Sequence, residues 1–134
     1  MNDDVQRLPV VTDQDVVRVR QLVRTVAVAV KLSLVDQTKL VTAASELARN
    51  TLVYGGGGEA EVSRVHNDRR AGIRIVFADQ GPGIADLDLA LTDGYTTGGG
   101  LGLGLSGARR LVDEFEIETE PGKGTTITVV KWCR

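Results

Sequence analysis

The sequence holds one cysteine, one histidine, one tryptophan and three prolines in 134 residues, and aromatics make up only 4% of it. A lone Cys133 excludes an internal disulfide, and a single Cys with a single His excludes a Cys/His metal cluster. A reducing, cytoplasmic compartment is therefore expected. No apolar run exceeds the five residues Val26 to Val30, far short of the roughly 20 that a membrane-spanning helix needs. No basic and apolar leader opens the chain, which argues against export. Charge of one sign is missing too: 16 basic and 18 acidic residues leave a net charge of −2. The concentrated positive field of a nucleic-acid binder is absent. The length suits one domain, 1–134, with neither an internal repeat nor a linker.

Glycine is missing from residues 1–54, yet sixteen glycines fall between Gly55 and Gly124. The first part reads as regular scaffold, the later part as loops where backbone bends sharply or approaches something closely. Thr12 with Asp15 three residues on predicts a helix start, and Val16, Val19, Val23, Val26 and Val30 keep helical spacing to about Lys31. Ser33 to Asp36 opens a second helix, with Leu40, Ala44, Leu47 and Ala48 as its apolar stripe, stopped by the four glycines from Gly55. The period then changes to alternation. Strands are expected over 59–66 and 73–79, joined at Asn67 to Arg70. A short helix over 86–92, a Thr/Gly loop from Gly94 and a helix over 103–114 follow. Two last strands, 115–119 and 125–132, flank a Pro121-Gly122-Lys123-Gly124 turn. This order predicts an α/β fold, a two-layer sandwich with helices on one face of a mixed sheet.

Four segments offer chemistry. Glu46 and Asn50 stand one turn apart on one helix face, where a carboxylate beside an amide oxygen suits a general base next to a hard-cation ligand. A solvated face with Glu46 paired to Arg49 is the other reading. Asp79 ends a strand before Gly81 and Gly83; an ionised carboxylate only accepts hydrogen bonds, so it suits an exocyclic amine such as that of adenine. Alternatively it caps its own turn. Gly98 to Gly107, with interleaved leucines before a helix, reads as a phosphate cradle or as a flexible loop. Gly102-x-Gly104-x-x-Gly107 fits the dinucleotide-binding pattern, but no apolar strand precedes it, and no P-loop spacing occurs. Gly122-Lys123-Gly124-Thr125 is a hairpin turn in which Thr125 offers a hydroxyl. His66 reads as structural or exposed, and Arg109 and Arg110 as a solvated helix face.

Taken in order, Glu-x3-Asn on a helix, Asp-x-Gly-x-Gly after a strand, a glycine-rich lid and Gly-x-Gly-Thr resemble the GHKL superfamily of ATP-binding domains, the Bergerat fold of gyrase, Hsp90, mismatch-repair ATPases and histidine kinases. The strings SELARN (45–50), ADQGPGI (78–84), DGYTTGGGLGLGL (93–105) and VKWCR (130–134) are similar to the RsbT-type switch serine/threonine-protein kinases of bacterial general-stress regulation. The resemblance implies a kinase that uses ATP and Mg2+, phosphorylates STAS-domain stressosome proteins and, once released, activates a PPM-type phosphatase by binding it. It implies Glu46 as base, Asn50 on Mg2+, and Asp79 on the adenine amine. Gly81 and Gly83 would shape the floor, Gly100, Gly102 and Gly104 would close over the phosphates, and Thr125 would assist. The alternative is an anti-sigma factor or nucleotide-gated binding module of the same fold, acting by docking. No separate phosphoacceptor helix is expected, and no transducer domain fits the length.

Overall fold

The computed structural model describes residues 5–84 and 105–134. The expected helix over 86–92 and the glycine-rich lid, with Gly100, Gly102 and Gly104, lie outside the described residues. The elements run β1 (Val5–Val10), α1 (Asp13–Ala29), α2 (Leu34–Arg49), a π-helical turn (Asn50–Tyr54), β2 (Gly58–His66), β3 (Ala71–Asp79), α3 (Leu105–Leu111), β4 (Glu114–Thr119) and β5 (Thr125–Trp132).

The helices start where the caps place them. Thr12 and Asp15 form a reciprocal capping box at α1, and the Ser33 hydroxyl accepts from the Asp36 N–H at α2. The α1 helix ends at Ala29, slightly before Lys31, which adopts a left-handed φ of 67° to turn the chain. The α2 helix does not continue evenly to the four glycines: beyond Arg49 the chain widens so that the Gly55 N–H reaches the Asn50 carbonyl five residues back, at 2.9 Å. The α3 helix stops at Leu111 rather than 114, because the Asp113 N–H bonds the Val130 carbonyl at 2.9 Å and draws the chain into the sheet.

The strands form one five-stranded sheet in the order β1-β2-β3-β5-β4. Every described pairing is antiparallel, whereas a mixed sheet was expected. The reason lies in the hairpins. The Asn67 side chain closes the β2–β3 turn by accepting from the Arg69 and Arg70 N–H groups, both at 2.8 Å. The β4–β5 hairpin inserts β5 beside β3, so β1, β3 and β4, which run one way, alternate with β2 and β5, which run the other. The edge strand β1 was not foreseen, because its six residues include Arg7 and Pro9. An edge tolerates a proline that cannot donate to the ladder.

The two layers expected from the sequence are present. One sheet face carries Ala60 and Val62, Ile73, Ile75 and Phe77, and Ile127 and Val129, all at 5% exposure or less. Register aligns them across strands, Val62 with Ile75 and Phe77 with Ile127. Against this face pack Val16, Val19, Val23 and Val26 of α1, Leu40, Ala44, Leu47 and Ala48 of α2, and Leu105 and Ala108 of α3. Apolar burial, the dominant favourable term in folding, thus lies between helices and sheet. The C-terminal end of β3 and the start of β5 meet at Asp79 and Thr125, where the candidate site lies.

Candidate nucleotide site

Asn50, Thr51 and Tyr54 of the π-turn, Phe77 and Asp79 of β3, Ile84, Leu105, and Thr125 and Ile127 of β5 line a small cavity. Its apolar walls with a few convergent polar groups match the usual character of a small-molecule site. Three of the residues singled out from the sequence, Asn50, Asp79 and Thr125, are brought together here although they come from separate segments.

Asp79 is half-buried at the end of β3. Its Oδ1 accepts the Gly81 N–H at 2.9 Å, so Asp79 caps its own turn, and the capping bond orients a carboxylate that also lines the cavity. Burial pushes the Asp79 carboxyl above its ordinary pKa, opposed by the N–H groups of Gly81 and Thr125. Gly81 packs flat on Gly55, where a Cβ would come within 2.6 Å of the Gly55 carbonyl oxygen. Gly83 has a φ of 75°, which favours glycine, and its carbonyl accepts the Tyr54 hydroxyl at 3.2 Å. The two motif glycines therefore hold the turn after Asp79 against the π-turn after Asn50.

Thr125 is buried, its Oγ1 2.9 Å from the Thr119 hydroxyl. Thr119 Oγ1 accepts the Ile84 N–H at 2.9 Å and lies 3.2 Å from the Gly124 carbonyl, to which it donates. With that proton committed, Thr125 donates to Thr119 and presents lone pairs to the cavity. Tyr54 and Thr119 were not singled out from the sequence. Tyr54 repeats the four-residue helical spacing from Asn50, a signal that was available; Thr119 is visible only through the cross-strand register.

Glu46 is exposed on α2, one turn before Asn50, outside the cavity lining. Among the described residues it forms no ion pair with Arg49. Arg109 and Arg110 are exposed in the last turn of α3, and His66 is exposed at the end of β2, as expected. Among the described residues no group of three His, Cys, Asp or Glu side chains could enclose a metal. The Asn50 amide oxygen nevertheless suits Mg2+, which is commonly held by few protein ligands together with substrate phosphates and water.

An ATP-binding fold with this cavity defines a class. The family model described as "Histidine kinase-, DNA gyrase B-, and HSP90-like ATPase" matches residues 35–133. The catalytic domain of histidine kinase ThkA superposes with a TM-score of 0.55 at 16% identity, over 98% of this chain and 95% of that one, a likeness of fold. Over the full length of both proteins the chain is 43% identical to serine/threonine-protein kinase RsbT of Bacillus subtilis (strain 168). It is 31% identical to the anti-sigma F factor of Clostridium acetobutylicum, over 72% of this chain and 69% of that protein. The chain therefore belongs to the histidine kinase-, DNA gyrase B- and HSP90-like ATPases and, within them, to the RsbT-type serine/threonine-protein kinases.

Proposed function

We propose that the chain transfers the γ-phosphate of Mg-ATP to a serine or threonine of a STAS-domain stressosome protein and, after leaving that complex, activates a PPM-type phosphatase by binding it. The observation that carries this reading is the convergence of Asn50, Asp79 and Thr125 on one cavity in a chain 43% identical to a serine/threonine-protein kinase. Asp79 accepts from the adenine amine, with Gly81 and Gly83 as floor and Thr125 as a second acceptor. Asn50 holds Mg2+, which, when bound, neutralises phosphate charge. Gly100, Gly102 and Gly104 supply backbone N–H groups to the phosphates. Glu46, exposed one turn before Asn50, takes the proton of the accepting hydroxyl; its exposure suits a group that must meet a protein substrate. Phosphoryl transfer depends mainly on positioning and charge neutralisation, so this set is sufficient. A cytoplasmic location goes with this role; no helix among the described residues is long and apolar enough to cross a membrane.

A second reading is favoured by the anti-sigma F factors, such as that of Clostridium acetobutylicum at 31% identity: a nucleotide-gated module that acts by docking. Incubation with labelled ATP and a STAS-domain protein separates the two. Transfer to the partner, lost in Glu46→Gln with ATP binding kept and lost in Asp79→Asn with ATP binding weakened, is the expected result. Full transfer in either variant removes that residue's role, and no transfer by the parent chain with nucleotide-dependent partner binding favours the docking module.

A further inference from the structure

The end of the sheet opposite the cavity holds a charge cluster built on the buried Lys131 and Asp36, outside the residues that line the cavity. Lys131 points from β5 into the core layer with its side chain 4% exposed, and its Nζ lies 3.5 Å from Asp36 Oδ1 and 3.8 Å from Asp113 Oδ1. Arg134 closes the cluster, its Nη2 2.6 Å from Asp113 Oδ1 and its Nε 3.9 Å from Asp36 Oδ2. Asp113 Oδ2 also accepts the Trp132 N–H at 2.7 Å. Such clusters are a poor source of stability, since apolar residues of similar volume often serve as well or better. What an ion pair supplies and an apolar contact does not is a fixed position.

That position matters because of α2. It lies antiparallel to β5: Asp36, in its first turn, meets Lys131 near the end of β5, and Asn50, just past its last turn, shares the cavity with Thr125 at the start of β5. From Asp36 to Asn50 the helix rises about 21 Å, and from Thr125 to Lys131 the strand spans about 20 Å. The two lengths match, so fixing one end sets the other. Between the ends, α2 buries Leu40, Val41 and Leu47 together with the small Ala43, Ala44 and Ala48, an apolar stripe whose burial is non-directional.

We propose that the Asp36–Lys131 pair is a register pin holding α2 along β5, which makes Lys131 a positioning residue for Asn50 about 20 Å away. The inference rests on the reading of Asn50 as the group that holds the Mg2+ of Mg-ATP. The test is calorimetric titration of the full chain with ATP, with MgCl2 and with EDTA, alongside thermal melts. Asn50→Ala should abolish the Mg2+-dependent gain in ATP affinity. The apolar double variant Asp36→Leu/Lys131→Met should melt near the parent and bind ATP in EDTA within about twofold of it. It should lose about tenfold of the Mg2+-dependent gain, the scale on which supporting residues affect metal affinity. Lys131→Arg should keep the gain. If Asn50→Ala abolishes the gain while the folded double variant keeps it, the pin is refuted; if Asn50→Ala itself keeps the gain, the reading of the site fails and the pin with it. Should the double variant not fold, Asp36→Asn, which preserves shape, decides by the same criterion.

Discussion

Replacing Asp79 by asparagine changes one atom and isolates the role proposed for the carboxylate. One oxygen of Asp79 accepts the Gly81 N–H at 2.9 Å; an amide nitrogen cannot, so in Asp79→Asn the amide oxygen takes that place. The NH2 then stands where the second carboxylate oxygen stood, and an adenine amine meets a donor instead of an acceptor. Loss of a hydrogen bond to a charged group costs about 1.5–3 kcal/mol, and leaving the facing donors unpaired about 1–3 kcal/mol more. A total near 4 kcal/mol corresponds to roughly a thousandfold weaker ATP binding. The free protein should not suffer. Burial raises the Asp79 carboxyl's pKa, so at neutral pH the ionised group costs folding free energy that the amide does not. The melting temperature without nucleotide should therefore stay equal or rise. Titration calorimetry with ATP and with ITP, in which an oxygen replaces the amine, reads the effect directly. The parent should prefer ATP, and the variant should shift its preference toward ITP, whose oxygen accepts from the new amide NH2. An Asp79→Asn protein that binds ATP within threefold of the parent, or keeps the parent's ATP-to-ITP ratio, would refute the reasoning.

Three further outcomes are expected. Leu47, fully buried between α2 and the sheet, should cost about 2–5 kcal/mol when changed to alanine, read as a lower urea midpoint with an unchanged slope. ATP affinity should fall on acidification from a pH above the ordinary aspartate range, because burial holds the Asp79 carboxyl up; the profile of Asp79→Asn should be flat there, and a parallel fall in both would point to another group. The Asp15 carboxyl is held below its ordinary pKa, first by the Val11 N–H and then by Arg18 and Thr12, against burial. Its contribution is present above the unfolded-state pKa and fades as pH falls through the lowered one, so melting temperatures measured against pH should show a smaller acid-side decline in Asp15→Asn than in the parent.

Local chemistry carried much of this into the sequence. The Thr12–Asp15 box and Ser33 cap fixed where α1 and α2 begin, the valine stripe fixed which face of α1 is buried, and alternation in Ile73, Ile75 and Phe77 fixed a strand and its core side, because each signal is satisfied within a few residues. The edge strand β1 was hidden because six residues with Arg7 and Pro9 gain strand character only when β2 lies alongside. The antiparallel order came from β5 entering between β3 and β4, a choice between sheet neighbours that no local pattern records.

The site divides the same way. Asn50, Asp79, Gly81, Gly83 and Thr125 were legible as residue types at informative spacings, and ordered together they resembled one family. That Tyr54 ties the π-turn to Gly83, that Thr119 commits the hydroxyl of Thr125, and that Lys131 meets Asp36 across the molecule are decided by chain segments far apart in sequence. Spacing along the chain dictates which groups share a helix face or a turn; only packing of helix against sheet brings groups on different elements within hydrogen-bond or ion-pair distance, because those distances depend on register between elements and not on sequence separation.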